Sequence, residues 1–185
     1  MLVFLVTGPT GAGKSSVARR LQQRGHHAIS LDSDPLLCAW TDADGHRVVR
    51  PAEPDLAWLA AHRWTWDADR LDEIIADAGR RRVDLLWLCG YAANALQLAD
   101  RFDVTFLLDI GRDTMIRRLR GRPAGNDFGL IGETLSAASA YYREFIGPWR
   151  RGGAVTIDAS HALDRVVEDL LLAATEAALD LPDRH

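Results

Sequence analysis

The chain has 185 residues, 48% of them hydrophobic and 26% charged, which is ordinary for one well-packed globular domain. Its net charge of −4 excludes a general attraction to nucleic acid polymers or anionic membranes. The two cysteines, Cys38 and Cys89, are too few for a disulfide framework, and the apolar run at the N-terminus is too short for a signal peptide or a membrane span. We therefore expect a cytoplasmic protein that is not attached to a membrane.

Short apolar runs alternate with amphipathic stretches from one end of the chain to the other. Five runs are predicted strands, at residues 2–7, 26–32, 83–88, 104–109 and 154–160. The other stretches are predicted helices, at residues 15–23, 34–40, 53–62, 67–79, 113–120, 130–146 and beyond Ser160, which would cap the last one. Because the first, third and fourth strands are almost continuously apolar, we expect a parallel sheet with helices on both faces. The sequence thus predicts a single α/β domain over residues 1–185.

The segment GPTGAGKS, residues 8–15, matches the phosphate-binding pattern G-x-x-x-x-G-K-[ST] at every fixed position. Backbone N–H groups of such a loop surround a phosphate, the lysine reaches the β- and γ-phosphates of ATP, and the serine hydroxyl binds Mg²⁺. Lys14 is the sole lysine of the chain, in agreement with a role that the planar guanidinium of arginine cannot fill. Lys14 is therefore also a predicted catalytic residue and Ser15 a predicted magnesium ligand. The predicted ATP-binding residues are Gly8, Gly11, Ala12, Gly13, Lys14, Ser15 and Ser16.

The lack of a second lysine excludes the Asn-Lys-x-Asp element with which GTPases read guanine. The chain resembles the shikimate/gluconate/adenylate kinase group of small P-loop kinases, through GPTGAGKS, LDSD, RLRGR and TIDAS. The resemblance implies a three-layer P-loop NTPase fold with a five-stranded parallel sheet of order 2-3-1-4-5. It also implies a helical acceptor-binding insertion over residues 33–80, an arginine-rich lid over residues 120–132, and the use of ATP with Mg²⁺.

Two carboxylates follow the second strand in the segment LDSD, residues 31–34. Two acids this close to a strand terminus can both face the crevice at the carboxyl ends of the sheet. The resemblance to shikimate kinases implies that Asp32 supports the magnesium ion and that Asp34 binds the acceptor hydroxyl as its base. Related antibiotic phosphotransferases use an acid nearer the position of Asp32 as base, so the division of roles stays open. The structural alternative is that Asp32 or Ser33 caps the following helix.

Arginines mark the end of the helix before the predicted lid. Arg118 and Arg122 are four residues apart and share one helical face. By resemblance to adenylate-kinase-like enzymes, Arg118 would pack near the adenine, and Arg122 would reach the transferring phosphoryl group with the lid. The alternative is that these arginines only balance the helix dipole. Asn126 and Asp127 would fasten the closed lid, and Arg143 on the next helix would touch the acceptor.

The acceptor region departs from the named families. The stretch LLWLCGYAAN, residues 85–94, lacks the Gly-Gly-Gly of shikimate kinases and the D-G-[FY]-P of adenylate kinases, so we expect the chain to be neither enzyme. Tyr91 and Asn94, just past this strand, are candidates for acceptor contact. The tryptophans of the insertion could stack on a nucleobase or another flat acceptor, with Trp64 as the candidate contact, or fill a small helical subdomain. These tryptophans are Trp40, Trp58, Trp64 and Trp66.

The leading prediction is an ATP-dependent kinase that transfers the γ-phosphoryl group to a hydroxyl or phosphate of a small acceptor. The tryptophans favour a nucleoside or nucleotide as that acceptor. One alternative is an O-phosphotransferase that acts on an antibiotic or another natural product. An alternative of another class is a nucleotide-binding regulator with little turnover, against which the two acids and the lid arginine argue. We expect a monomer or a homodimer whose partner is a small molecule.

Overall fold

The computed structural model describes residues 1–121 and 127–181. Within these residues the strands are, in chain order, β1 (Leu2–Thr7), β2 (His27–Ser30), β3 (Cys38–Thr41), β4 (Arg47–Val48), β5 (Arg63–Trp66), β6 (Leu85–Cys89), β7 (Val104–Asp109) and β8 (Val155–Asp158). The helices are α1 (Lys14–Gln23), α2 (Leu56–Ala61), α3 (Ala68–Arg80), α4 (Arg112–Arg120), α5 (Thr134–Arg151) and α6 (Leu163–Leu179). Short 3-10 turns lie at Leu31–Ser33 and Ala95–Arg101.

The central sheet contains five parallel strands in the order β2-β6-β1-β7-β8. When only the five strands of this sheet are numbered, in chain order, their spatial order is 2-3-1-4-5. The element labels differ from this count because the three strands β3, β4 and β5 form a separate sheet. The prediction of a five-stranded parallel α/β fold is confirmed.

Both faces of the central sheet are covered by helices, which explains the apolar runs in the sequence. Phe4 and Val6 of β1 pack in a buried cluster with residues of α1, α4 and α6, whereas Val3 and Leu5 pack in a second cluster with residues of α3 and α5. Alternate side chains of a strand point to opposite faces, so a doubly covered strand is apolar at every position. Burial of each such side chain contributes roughly 1.5–3 kcal/mol to folding.

The insertion between β2 and β6 is not the helical unit that we predicted. The expected helix over residues 34–40 is absent, and β3, β4 and β5 form an antiparallel sheet in which Trp40 pairs with Trp64. Aromatic and β-branched side chains favour strands, and the segments CAWT and RWTW consist largely of them. Helix α3 agrees with its prediction, and its N-cap Asp67 accepts a hydrogen bond from the backbone N–H of Arg70.

The last two helices also differ from their predicted limits. Helix α5 starts later than expected and continues to Arg151, with Pro148 inside it. Helix α6 begins at Leu163 with Ala162 at its N-cap position, so Ser160 is not the cap. The backbone N–H of Ser160 instead donates to Asp158 in the preceding turn. None of the described helices has the length and apolar character needed to cross a bilayer.

Candidate active site

The carboxyl ends of the parallel strands open into one cleft of about 1460 Å³. The phosphate-binding loop after β1 forms one side, and residues that follow β2, β6 and β8 also line it. The antiparallel sheet, the segment after residue 126 and helix α5 form the remaining wall. In open α/β sheets ligands bind at this edge, because loops from several strands meet there.

The phosphate-binding loop depends on glycine at the positions where its backbone is unusual. Gly11 and Gly13 have φ angles of +82° and +99°, which side chains disfavour. A Cβ on Gly8 would lie 2.7 Å from the carbonyl oxygen of Leu108. Helix α1 starts at Lys14 and places the positive end of its dipole at the loop. All predicted loop residues except Gly8 line the cleft.

Lys14 is held in a defined position although it is charged. Its side chain is buried, and Nζ donates hydrogen bonds to the carbonyl oxygens of Gly8 and Pro9 at 2.9 and 3.1 Å. The ammonium also lies 5.9 Å from the centre of the Tyr91 ring, within reach of a cation–π contact. The cation is therefore fixed beside the loop that would surround the phosphates.

Asp32, the predicted metal-supporting acid, lies in the cleft at the carboxyl end of β2. It follows β2, lines the cleft, and accepts a hydrogen bond on Oδ1 from the backbone N–H of Tyr91 at 2.9 Å. Gly90 makes this contact possible, because a Cβ there would lie 3.1 Å from the same Oδ1 and 2.8 Å from Leu31 and from Trp66. The absence of an acid at the end of β6 is thus explained: the neighbouring strand supplies the carboxylate, and a glycine leaves room for it.

The end of β6 is otherwise inert. Cys89 is fully buried, and this burial raises the pKa of its thiol well above the usual range. Burial also raises the pKa of the Tyr91 phenol, against the opposing effect of the Arg63 charge. Both groups therefore stay neutral near pH 7, and the carboxylate of Asp32 provides the charge at this end of the sheet.

Asp34 is occupied elsewhere, which disagrees with its predicted role as acceptor base. Its Oδ1 accepts from the backbone N–H of Leu36 at 2.8 Å, and its Oδ2 accepts from Nε and Nη2 of Arg70 at 3.2 and 3.1 Å. Desolvation acts to raise the pKa of Asp34, but the hydrogen bonds from Leu36 and Arg70 outweigh it and lower the pKa. Asp34 lies outside the lining of the cleft. It joins the start of the insertion to α3 through Arg70.

Arg118 lines the cleft on the side of β8. Its Nη2 donates to the carbonyl oxygen of Ala159 at 2.9 Å, which joins α4 to the loop after β8. This position is compatible with the predicted contact near an adenine. The predictions for Arg122 and Asn126 concern residues that lie outside the described part of the chain.

An aromatic wall forms part of the cleft. Trp40 and Trp64 are cross-strand neighbours with ring centres 5.8 Å apart, and Phe128 stacks on Trp40 at 6.3 Å. All three rings line the cleft and are half-buried. Trp66, two residues beyond Trp64 on the same strand, is buried in the core. One face of the small sheet thus packs against the domain at one end and lines the cleft at the other.

Two predicted acceptor contacts do not reach this wall. The amide of Asn94 makes hydrogen bonds with both the backbone N–H and the carbonyl oxygen of Trp66, at 2.9 and 2.8 Å. Asn94 therefore fixes the edge of β5 instead of facing the cleft. Arg143 is exposed on α5 and does not line the cleft either.

Several lining residues were missed by the sequence analysis. On α5, Tyr141 and Phe145 face the cleft at a spacing of four residues, whereas Arg143 between them points away. This helical periodicity is a signal that the sequence does contain. Arg50 and His62 of the insertion also line the cleft. The Nδ1 atom of His62 is 2.7 Å from the carbonyl oxygen of Trp58, and the His62 ring stacks on the Trp58 ring.

Comparisons with known proteins show the family of this chain. The chain is 30% identical over 158 residues to the dephospho-CoA kinase of Thermobifida fusca (strain YX), in an alignment that covers 66% of this chain and 74% of that protein. A search of protein-family models gives no match.

Solved structures share the fold at low sequence identity. A gluconokinase from Sinorhizobium meliloti 1021 superposes with a TM-score of 0.55 and 16% identity, over 97% of this chain and 94% of that one. Deoxyadenosine kinase from M. mycoides with bound dATP superposes with a TM-score of 0.53 and 11% identity, over 94% of this chain and all (100%) of that one. The protein described here belongs to the family of small P-loop kinases that includes this dephospho-CoA kinase, and it is an ATP-dependent phosphotransferase.

Proposed function

We propose that this kinase transfers the γ-phosphoryl group of ATP to a hydroxyl group of a small acceptor with a flat ring, of which a nucleoside or nucleotide is the best example. One observation carries the proposal: Lys14, Asp32 and the aromatic wall of Trp40 and Trp64 line the same cleft. Phosphates, a reacting hydroxyl and a planar ring can therefore be bound next to one another.

The nucleotide half supplies charge and orientation. Phosphoryl transfer requires little covalent chemistry from the protein, so positioning and electrostatic stabilisation dominate. The loop N–H groups and the start of α1 would hold the β-phosphate, and the ammonium of Lys14 would stabilise the charge that develops on the transferred group. Arg118 and the loop at Ala159 would border the adenine.

Magnesium fits the residues at this position. The hydroxyl of Ser15 and the carboxylate of Asp32 both line the cleft, and hard oxygen donors are the ligands that Mg²⁺ prefers. When bound, Mg²⁺ would neutralise charge on the β- and γ-phosphates. In the proposal the hydroxyl of Ser15 would bind the ion directly and Asp32 would hold it through its water ligands, so the carboxylate of Asp32 could still accept a proton.

Asp32, and not Asp34, is the acid of the reaction centre in this proposal. A carboxylate that accepts the proton of the acceptor hydroxyl must reach the cleft, and Asp32 does so beside the phosphate-binding loop. Asp34 has both of its oxygen atoms engaged by Leu36 and Arg70. The hydrogen bond from Tyr91 orients Asp32 toward the cleft.

The aromatic wall selects the acceptor. Trp40 and Trp64 present half-buried ring surface, which favours a planar acceptor over a sugar such as gluconate. The polar side chains along this wall, Arg63 and His62 among them, would bind the substituents of the ring.

The direct test is transfer of label from γ-³²P-ATP to a panel of acceptors: nucleosides, nucleotides, dephospho-CoA, gluconate, shikimate and aminoglycosides. We expect a labelled product with an acceptor that carries a nucleobase. Labelling of an aminoglycoside instead would support the natural-product phosphotransferase. Tight binding of ATP with no acceptor-stimulated release of ADP would support the nucleotide-binding regulator and refute the proposal.

A pair of tryptophan variants tests the location of the acceptor. We expect Trp64→Leu to raise the KM for the acceptor about tenfold with little effect on the KM for ATP, since stacking on one aromatic ring is worth about 1–3 kcal/mol. Trp64→Phe is the matched control, because it keeps an aromatic ring at the same position and should retain most of the affinity for the acceptor. Equal changes in both KM values for Trp64→Leu would place the acceptor elsewhere.

A further inference from the structure

The segment that follows residue 126 is bound to the insertion by an ion pair. Arg50, just past β4, donates through Nη1 to Oδ1 of Asp127 at 3.0 Å and through Nη2 to Oδ2 at 2.7 Å. The two residues are separated by 77 positions in the chain. This two-point geometry fixes orientation as well as distance, which a single contact does not. Both residues line the cleft.

A ring contact lies beside the ion pair. Trp40 and Phe128 stack with an angle of 26° between their ring planes. Like the ion pair, this contact joins the insertion, which contains Trp40, to the segment after residue 126, where Phe128 is next to Asp127. Offset stacking of this kind adds about 0.5–1.5 kcal/mol to the apolar contact. The ion pair and the stacked rings together connect the two walls of the acceptor half across the cleft.

The far end of the same segment is also attached to the insertion. Glu133 accepts a hydrogen bond from the backbone N–H of Leu56 at 2.8 Å, and its own N–H donates to the carbonyl oxygen of Pro54 at 3.0 Å. Gly132 has no room for a side chain, because a Cβ would lie 2.5 Å from the same Pro54 oxygen. These contacts anchor the base of the segment, whereas the Arg50–Asp127 pair is its polar contact at the cleft.

We infer that Arg50 and Asp127 are positioning residues that hold the acceptor wall closed over the reacting phosphoryl group and keep water from it. This inference rests on the proposed phosphoryl transfer. A kinase must exclude water, since water competes with the acceptor for the γ-phosphoryl group. Breaking the pair separates the insertion from Phe128 at the mouth, and hydrolysis of ATP increases relative to transfer.

The test measures release of ADP from ATP in the absence of any acceptor, with the full chain. Arg50→Asp and Asp127→Arg each reverse one charge and break the pair, and we expect each to raise acceptor-independent hydrolysis about two- to fivefold, the effect of losing a partly exposed ion pair. The double variant, Arg50→Asp with Asp127→Arg, restores opposite charges and returns the rate toward that of the unmodified protein. A merely structural role would lower activity in the single variants and would not produce this recovery.

A second ion pair provides a matched control. Arg101 donates to both carboxylate oxygens of Asp72, through Nε and Nη2 at 2.8 and 3.1 Å, and also to Asp100. The side chains of Arg101 and Asp72 are 24% and 51% exposed, against 23% and 51% for Arg50 and Asp127. This pair is outside the cleft lining, so Arg101→Asp should leave hydrolysis unchanged.

The outcomes separate this inference from the proposed function. Increased hydrolysis in both single variants and recovery in the double variant support the closing role, even if no acceptor in the panel is phosphorylated. Unchanged or decreased hydrolysis in the single variants, failure of the double variant to recover, or an equal increase with Arg101→Asp overturns it. If the single variants show normal acceptor-stimulated transfer and no extra hydrolysis, the inference is overturned and the proposed kinase activity still stands.

Discussion

The two halves of the cleft are built in different ways. The nucleotide half takes its loop, its lysine and the start of its helix from residues 9–19, which are consecutive in the chain. The acceptor half is assembled from remote parts: Trp40 contacts Phe128, and Arg50 contacts Asp127. A local loop with left-handed glycines tolerates few residue types, whereas a packed wall accepts many. Substitutions in the first half should therefore abolish the chemistry, and substitutions in the second should change which molecule is phosphorylated.

The largest effect is expected for Lys14. Lys14→Ala should reduce turnover at least about 100-fold, because the cation that stabilises the transferring group is lost. Lys14→Arg should fail as well, since a planar guanidinium does not replace an ammonium held between the carbonyl oxygens of Gly8 and Pro9. ADP release measures the rate, and the thermal unfolding temperature shows whether each variant is folded. Normal turnover of Lys14→Arg would contradict the role of the ammonium.

An intermediate effect is expected at the boundary between the two halves. Gly90→Ala would place a Cβ 2.8 Å from Leu31 and Trp66 and 3.1 Å from Oδ1 of Asp32, so we expect a loss of about 1–3 kcal/mol in the free energy of unfolding, with reduced turnover. Urea unfolding and ADP release measure the two effects.

Gly111→Ala is the matched control for this substitution. A Cβ on Gly111 would meet nothing within 4 Å, and its φ of −59° suits any residue. We expect its free energy of unfolding to stay within about 0.5 kcal/mol of the original value. If Gly90→Ala and Gly111→Ala lower the free energy of unfolding equally, the lack of space beside Asp32 is not the reason for glycine at position 90.

The smallest effect is expected for the ion pair between Asp34 and Arg70, which lies outside the cleft lining. The pKa of Asp34 is below its ordinary value of 3.8, so the folded state favours its ionised form. Its contribution to stability is present above about pH 4 and is lost as the pH falls through the lowered pKa. Asp34→Asn should cost about 1 kcal/mol at pH 7, and this difference from the original protein should shrink below pH 4. Urea unfolding of both proteins at several pH values tests this prediction. If the difference in free energy of unfolding does not change with pH, the ionised carboxylate of Asp34 is not the source of that difference.

The nucleotide half could be predicted because its information is local. The P-loop motif, the strand before it and the helix after it occupy one short segment, and the alternation of apolar runs gave the central sheet. The place of Asp32 followed from its position at a strand terminus. The sequence does not show why residue 90 is glycine, because the atoms that a Cβ would meet there belong to residues distant in the chain.

The acceptor half could not be predicted in the same way. The pairing of Trp40 with Trp64 depends on a register between strands that are distant in sequence, and short segments such as CAWT do not distinguish strand from helix by periodicity. The contacts of Asp34 could not be read from the sequence, because its partner Arg70 lies on another element. Arg143 is a different case: the periodicity of Tyr141 and Phe145 on one helix face was available in the sequence.

The measurement closest to the central claim compares Asp32→Asn with Asp34→Asn in transfer of label from γ-³²P-ATP to the acceptor. We expect Asp32→Asn to abolish transfer and to keep its fold, because the carboxylate that lines the cleft together with Lys14 and Ser15 is lost. Asp34→Asn should retain most of the transfer rate, since Asp34 only joins the insertion to Arg70. Full transfer by Asp32→Asn, or its loss in a folded Asp34→Asn protein, would contradict the account.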